Sequence, residues 1–205
     1  MAEMTLRALT ARLVELGLVT PQQAENALAS ADYADLEQSP VHLVGELIEY
    51  GLGVHTDHGD VDSLQEEYED ILTEAAACSG LTVSDVELVE SAETADQETG
   101  GTHEVDLLRF HLDGEPRAWE VEHLSDEYID HMALVSHLSD LEPGGDDQRC
   151  FHPVGEAEEV PFMYLLATPE HARILRDEFG FPIDVEEAPA EQPTPPSLPR
   201  TAHGS

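Results

Sequence analysis

The stretch VDLLRFHLDGEPRAWEVEH, residues 105–123, decides how the rest of the chain is read. Two runs of alternating apolar and polar residues flank Asp113-Gly114, a dipeptide that favours a two-residue type I′ hairpin turn. Such a turn pairs Leu112 with Glu115, so that Phe110 faces Arg117 and Leu108 faces Trp119. Leu108, Phe110, Trp119 and Val121 then share one face, and Arg109, His111, Glu120 and Glu122 the other. A slip of one residue would send every apolar side chain to solvent, so register and pattern support each other. The first face is the expected core, and an antiparallel sheet is expected beneath it.

Working outward, LTVSDVELVE (81–90) reads as a strand with a slip near Ser84, followed by an acidic, glycine-terminated loop over 91–102 that is expected to be mobile. Downstream, SDEYIDHMALVSHLSDL (125–141) reads as a helix capped by Ser125, with Tyr128, Ile129, Met132, Val135 and Leu138 facing inward. RCFHPV and PFMYLLA read as strands, and the second is so uniformly apolar that a central position is expected. TPEHARILRDEFGF has Thr168 as cap, Pro169 in the first turn and Gly180 as stop. Residues 182–205, rich in proline and poor in large apolar side chains, read as a disordered tail.

The first 80 residues are helical in pattern. Leu6, Leu9, Leu13 and Leu16 make one stripe. Thr20, Pro21 and Gln23 are three agreeing start signals for a second helix. Ser39 and Pro40 begin a third, with Val41, Val44, Leu47 and Ile48 apolar and Gly51 and Gly53 ending it. Ser63 and Glu66 form a capping-box pattern ahead of Leu64, Tyr68, Ile71, Leu72, Ala75 and Cys78. The expected class is therefore α+β: a helical region over 4–79, then a small, mostly antiparallel sheet ordered β-ββ-α-ββ-α over 81–181 with helices on one face, then the tail.

Composition narrows the chemistry. The 205 residues carry a formal charge of −37, from 45 acidic and 8 basic side chains, and all the basic ones are arginine. A chain without lysine has no Walker-type phosphate loop and no Schiff-base chemistry. There is no GxSxG elbow and no dinucleotide glycine fingerprint either, so no cofactor is expected, a metal ion being the one possibility left open. Cys78 and Cys150 have neither a CxxC partner nor zinc spacing. A surface this negative repels nucleic acid and anionic membranes and attracts basic proteins. The same composition also suits a proteome adapted to high salt. With no signal-peptide pattern and no apolar run of membrane-spanning length, a soluble, cytoplasmic protein is expected.

Four clusters could carry chemistry. His55, Asp57, His58 and Asp60 are ligand types for a transition metal, although the same stretch reads more plainly as the polar entrance to a helix. Glu120, Glu122 and His123 beside Arg109 and His111 could do acid–base work if buried, but alternation along a strand is ordinarily its solvated side. Glu127 and His131, with Asp126 and Asp130, suit either a metal or a helix N-terminus. His42, Glu46 and Glu49 share the third helix without the paired Glu-x-x-His pattern of a di-iron bundle.

The leading expectation is a non-enzymatic acidic protein that engages a basic protein partner, as an immunity-type inhibitor or a nucleic-acid mimic. Asp57, Asp60, Asp62, Glu66, Glu67, Glu120, Glu122, Asp126, Glu127 and Asp130 would supply steering and contact, and Trp119 or Tyr128 an anchor if exposed. The alternatives are a metal-binding domain or metal-dependent hydrolase using the loop at 55–62, and an accessory protein of a salt-adapted proteome without a charge-based partner.

Overall fold

The computed structural model describes residues 4–56, 61–95, 102–123, 128–155 and 162–185. Helices α1 (Leu6–Glu15), α2 (Pro21–Ser30) and α3 (Pro40–Glu49) come first, then a short strand β1 (Gly53–His55) and helix α4 (Leu64–Ser79). Strands β2 (Val83–Ala95), β3 (Thr102–Leu112) and β4 (Glu115–Val121) follow. Helix α5 (His131–His137) runs into a 3-10 turn at Leu138–Leu141, and β5 (Cys150–Val154), β6 (Met163–Ala167) and α6 (Pro169–Phe179) complete the order.

The class is α+β and the pairing antiparallel, as expected, but the strands form two sheets instead of one: β2-β3-β4 and β1-β6-β5, each of three strands. The hairpin has the expected register, with Leu108 opposite Trp119, Phe110 opposite Arg117 and Leu112 opposite Glu115. Asp113 and Gly114 both have positive φ, 51° and 81°, as a type I′ turn requires. The expected slip in β2 is an irregularity between Ser84 and Glu87, where Asp85 has φ 55°. β2 also runs on through Ser91–Ala95, pairing with the start of β3, so residues 91–95 are strand and not the expected loop; residues 96–101 lie outside the described residues.

Two hydrophobic cores result. One joins Tyr68, Ile71, Leu72 and Ala75 of α4 to Leu108, Phe110, Trp119 and Val121 of the hairpin and to Ala133, Leu134, Leu138 and Leu141. The other joins Leu6, Leu9, Leu13, Leu43 and Leu47 to Leu175, Phe179 and Phe181. Strand β6 lies between them, central in its sheet: Tyr164 belongs to the first core, and Leu165 and Ala167 to the second. That two-sided burial explains its uninterrupted apolar sequence.

β1 is a departure from the sequence reading. Gly51, with φ 69°, ends α3. Gly53 instead pairs with Leu165 at the start of β1, and a Cβ there would strike the carbonyl oxygen of Tyr164. A three-residue strand has too few positions to show a period, so only its partner reveals it. Two further corrections concern ends. α5 begins at His131 with Asp130 as cap, not after Ser125, which lies outside the described residues. Residues 182–185 are not part of a disordered tail, because Ile183 and Val185 are buried and Ile183 bridges to Val154; the rest of the expected tail, residues 186–205, lies outside the described residues.

Candidate functional site

The site grows from the open end of the hairpin. Asp106 stands on the same face of β3 as Leu108 and Phe110, so the alternation that builds the core aims its carboxylate inward. Beyond β4 the chain turns His123 toward it, and the imidazole side chain is only 7% exposed. The Nδ1 of His123 lies 2.9 Å from Asp106 Oδ2, and its Nε2 lies 2.9 Å from the Tyr68 hydroxyl on α4. The backbone N–H of Asp130 donates to the same hydroxyl at 2.8 Å. Tyr68 must then direct its own proton to Nε2, which leaves Nδ1 as the donor to Asp106. Asp130 closes the arrangement, accepting from Glu122 N–H at 2.9 Å and from Ala133 N–H at 3.0 Å as the cap of α5.

Carboxylate, imidazole and hydroxyl in series is the order of a nucleophilic relay. Here the hydroxyl end is inert. Tyr68 is fully buried, burial pushes its phenol pKa up, and its oxygen already accepts a backbone hydrogen bond. The knot ties α4, β3, the end of β4 and the start of α5 together. His123 therefore does not stand on the outward hairpin face beside Arg109, where its grouping with Glu120 and Glu122 put it; it continues the inward alternation of Trp119 and Val121. The signal for this was Asp106, a carboxylate at a core-facing position that needed an internal partner.

The rim of the knot is open. Asp106, Glu120, Glu122, His123 and Asp130 line a groove of about 640 Å³. Glu120 and Glu122 are exposed, so water surrounds the carboxylates where acid–base catalysis would need enclosure. The groove gathers three of the expected partner-binding residues, Glu120, Glu122 and Asp130. Asp62 and Glu66 stand exposed near the start of α4 and Glu67 is half-buried; none of them lines the groove. Asp57, Asp60, Asp126 and Glu127 lie outside the described residues.

Next to Asp130 the surface changes character. Tyr128 (52% exposed), Met132 (61%) and Val135 (36%) follow one another at spacings of four and three, on one side of α5 and its approach. The ring of His131 meets Phe162 edge-on, centroids 5.3 Å apart, and Phe162 is 39% exposed. The expectation that Tyr128, Met132 and Val135 face inward is thus overturned. The short helix turns Ala133 and Leu134 to the core instead, while Ile129 and Leu138 are buried as expected. Of the two expected anchors, Trp119 is buried, stacked on His137 and donating from Nε1 to Asp140 at 3.0 Å, whereas Tyr128 is exposed.

Other chemistry fares less well. Of the candidate metal ligands in the 55–62 loop only His55 is described, half-buried in β1 opposite Met163; Asp57, His58 and Asp60 are not, and among the described residues no group of three or more His, Cys, Asp or Glu is placed to hold a metal ion. Burial pushes the Cys78 thiol up to about 11, and its sulfur hydrogen-bonds the Gly53 carbonyl. Cys150 and His152, two apart in β5, bring sulfur within 3.4 Å of Nε2, a pairing the sequence reading missed. That nitrogen also lies 3.2 Å from the Ala167 carbonyl, to which it donates, so it does not act as a base toward the thiol. His42, Glu46 and Glu49 line a separate groove between α2 and α3. The chain matches no protein-family model, no curated protein and no solved structure.

Proposed function

We propose that this chain is a non-enzymatic binding protein whose target is a basic protein, held by the apolar row of α5 and steered by the acidic groove beside it. The observation that carries this reading is the row itself, Tyr128, Met132 and Val135, exposed together with Phe162 beside His131 on a molecule of charge −37. A strongly acidic surface alone has two explanations, a cationic partner or adaptation to salt. Salt adaptation replaces exposed apolar side chains with acids and gives no reason to leave tyrosine, methionine and phenylalanine in water. A partner gives one, since a compact apolar patch rimmed by charge is the usual form of an interface centre. Tyrosine is frequent among residues that dominate binding energy, and methionine adapts its shape to what it meets.

Within this reading the inhibitor form is favoured over the nucleic-acid mimic. A mimic needs regularly spaced anions and little else, while an inhibitor that covers a cationic site needs an apolar anchor among its charges. The acidic groove would accelerate encounter at low ionic strength, and the row would set the lifetime of the complex.

The test compares the protein with a Tyr128→Ala/Met132→Ser double variant, whose net charge is unchanged. Basic proteins retained from a lysate at low salt are measured for affinity to both, and circular dichroism follows folding from about 0.05 to 3 M salt, across the range where screening becomes nearly complete. The expected result is a protein folded at low salt with a partner that the variant holds at least about tenfold more weakly. Equal retention by both would reduce the interaction to bulk charge and overturn the reading. So would folding only at molar salt, which would assign the acidity to the solvent.

A further inference from the structure

The groove between α2 and α3 has a volume of about 640 Å³ and shares none of its lining with the α5 surface. Asn26 of α2, Tyr33 of the following turn, and Gly45, Glu46, Glu49 and Tyr50 of α3 and its end stand around it. No arginine is among its lining residues, and His42 is the one basic side chain there. Two phenols, two carboxylates and side-chain amides around one space make a lining of acceptors and aromatic surface. That lining is matched to an organic cation: carboxylates and amide oxygens take its N–H donors, and ring faces accept its charge.

Gly45 is the independent sign that this space is kept. It sits in the middle of α3, where glycine costs roughly 0.5–1 kcal/mol relative to alanine. Its φ is not positive, and a Cβ built on it would meet nothing within 4 Å. Neither backbone conformation nor packing calls for glycine here, in contrast to Gly53, where the Tyr164 carbonyl leaves no room for a side chain. A side chain at 45 would project into the groove that the residue lines. The groove walls are also held in place. Tyr33 donates to Glu46 at 2.9 Å, the Tyr50 and Thr10 hydroxyls lie 2.6 Å apart, and Thr10 is buried.

We infer that this groove binds a small organic cation, an alkyl ammonium or alkyl guanidinium, with its charged head at Glu46 and Glu49 and its stem passing over Gly45. The site is distinct from the proposed partner surface and does not depend on it. The cation has two possible sources, a free amine or the side chain of a lysine or arginine in a peptide, and the chemistry of the groove is the same for both.

The full-length protein is titrated with putrescine, with agmatine and with a blocked Gly-Arg-Gly peptide at about 0.15 M salt, where charges beyond about 8 Å are screened. Amide resonances report the position of binding and calorimetry its affinity. Saturable binding with shifts centred on residues 23–50 is expected. Gly45→Leu fills the space without changing the charge and is expected to weaken it by about tenfold or more. Glu46→Gln weakens it too, whereas Glu69→Gln, which removes one charge from the exposed face of α4, leaves it unchanged. Tighter binding of the peptide would assign the cation to a protein side chain, and tighter binding of putrescine or agmatine to a free amine; either supports the site. Non-saturating shifts spread over the acidic surface, or equal loss in the Glu46 and Glu69 variants, would overturn it. Gly45→Ala guards against misfolding as the cause: it is expected to raise the Tm, and a Gly45→Leu variant that folds and still binds as tightly as the natural chain overturns the inference.

Discussion

At the end of the hairpin, Asp106, His123, Tyr68 and Asp130 are hydrogen-bonded to one another. Between α2 and α3, Glu46, Glu49 and the two tyrosines look onto open space. Both clusters combine carboxylate, imidazole and phenol, so residue type does not separate them. What separates them is the face each occupies. Asp106 lies on the core side of β3 and must be satisfied from within, because a buried unpaired carboxylate is costly. Glu49 lies on the solvent side of α3, and its hydrogen-bonding capacity is free for a ligand. Polar residues held by the fold stabilise it, and those outside it are available for recognition.

The sharpest way to break this comparison is Tyr68→Phe. It deprives His123 and the Asp130 N–H of their shared partner, and each orphaned group is expected to cost about 1–3 kcal/mol. Urea unfolding should show a lower midpoint with an unchanged slope. A loss below about 0.5 kcal/mol would mean that water replaces the hydroxyl and that the knot is not structural.

His152 probes the second core in the same way. Burial lowers its pKa below the ordinary 6.5, so the unfolded chain binds the proton more readily than the folded one. Its contribution to stability is therefore present above pH 6.5 and is lost as the pH falls from there through the lower folded value. Unfolding midpoints measured across that window should drop on acidification, and His152→Gln should remove that part of the slope.

Cys78 gives a smaller but direct readout of burial. With its pKa pushed up to about 11, alkylation by iodoacetamide at pH 8 should be much slower in the folded protein than in urea. Equal rates would place the thiol in water. The least effect on stability is expected from Tyr128→Ala and Met132→Ser, each within about 0.5 kcal/mol by thermal or urea unfolding, because both side chains are exposed. A larger loss would return the α5 row to the core and remove the observation behind the proposed function.

Much of the fold was legible where the determinants are local. The Asp113-Gly114 turn set the hairpin register residue by residue. Thr20 and Gln23 make the expected capping box, and Ser39, Ser63 and Thr168 cap α3, α4 and α6 with their side chains. The site was less legible. Glu120, Glu122 and Asp130 are legible as acidic surface residues, but nothing in the sequence shows that these three share a groove. Strict alternation continues from Trp119 and Val121 to put His123 on the core side; grouping it with its chain neighbours Glu120 and Glu122 overrides that pattern, and the contact with Asp106 restores it. Periodicity puts Met132 and Val135 on an apolar side without saying whether anything covers it. α5 is two turns long, and Ala133, Leu134 and Leu138 already meet the sheet.

By itself the sequence determined the α+β class, the hairpin, the helix starts, the absence of lysine chemistry and the sign of the surface, because each depends on neighbours along the chain or on composition alone. Only the tertiary structure decided that the strands divide into two sheets with β6 between two cores. It also decided that Asp106, His123 and Tyr68 meet, that α5 leaves an apolar row uncovered, and that Gly45 opens onto a groove. Each of those depends on which surfaces distant segments bury against each other, and the pattern of a single segment does not name its partner.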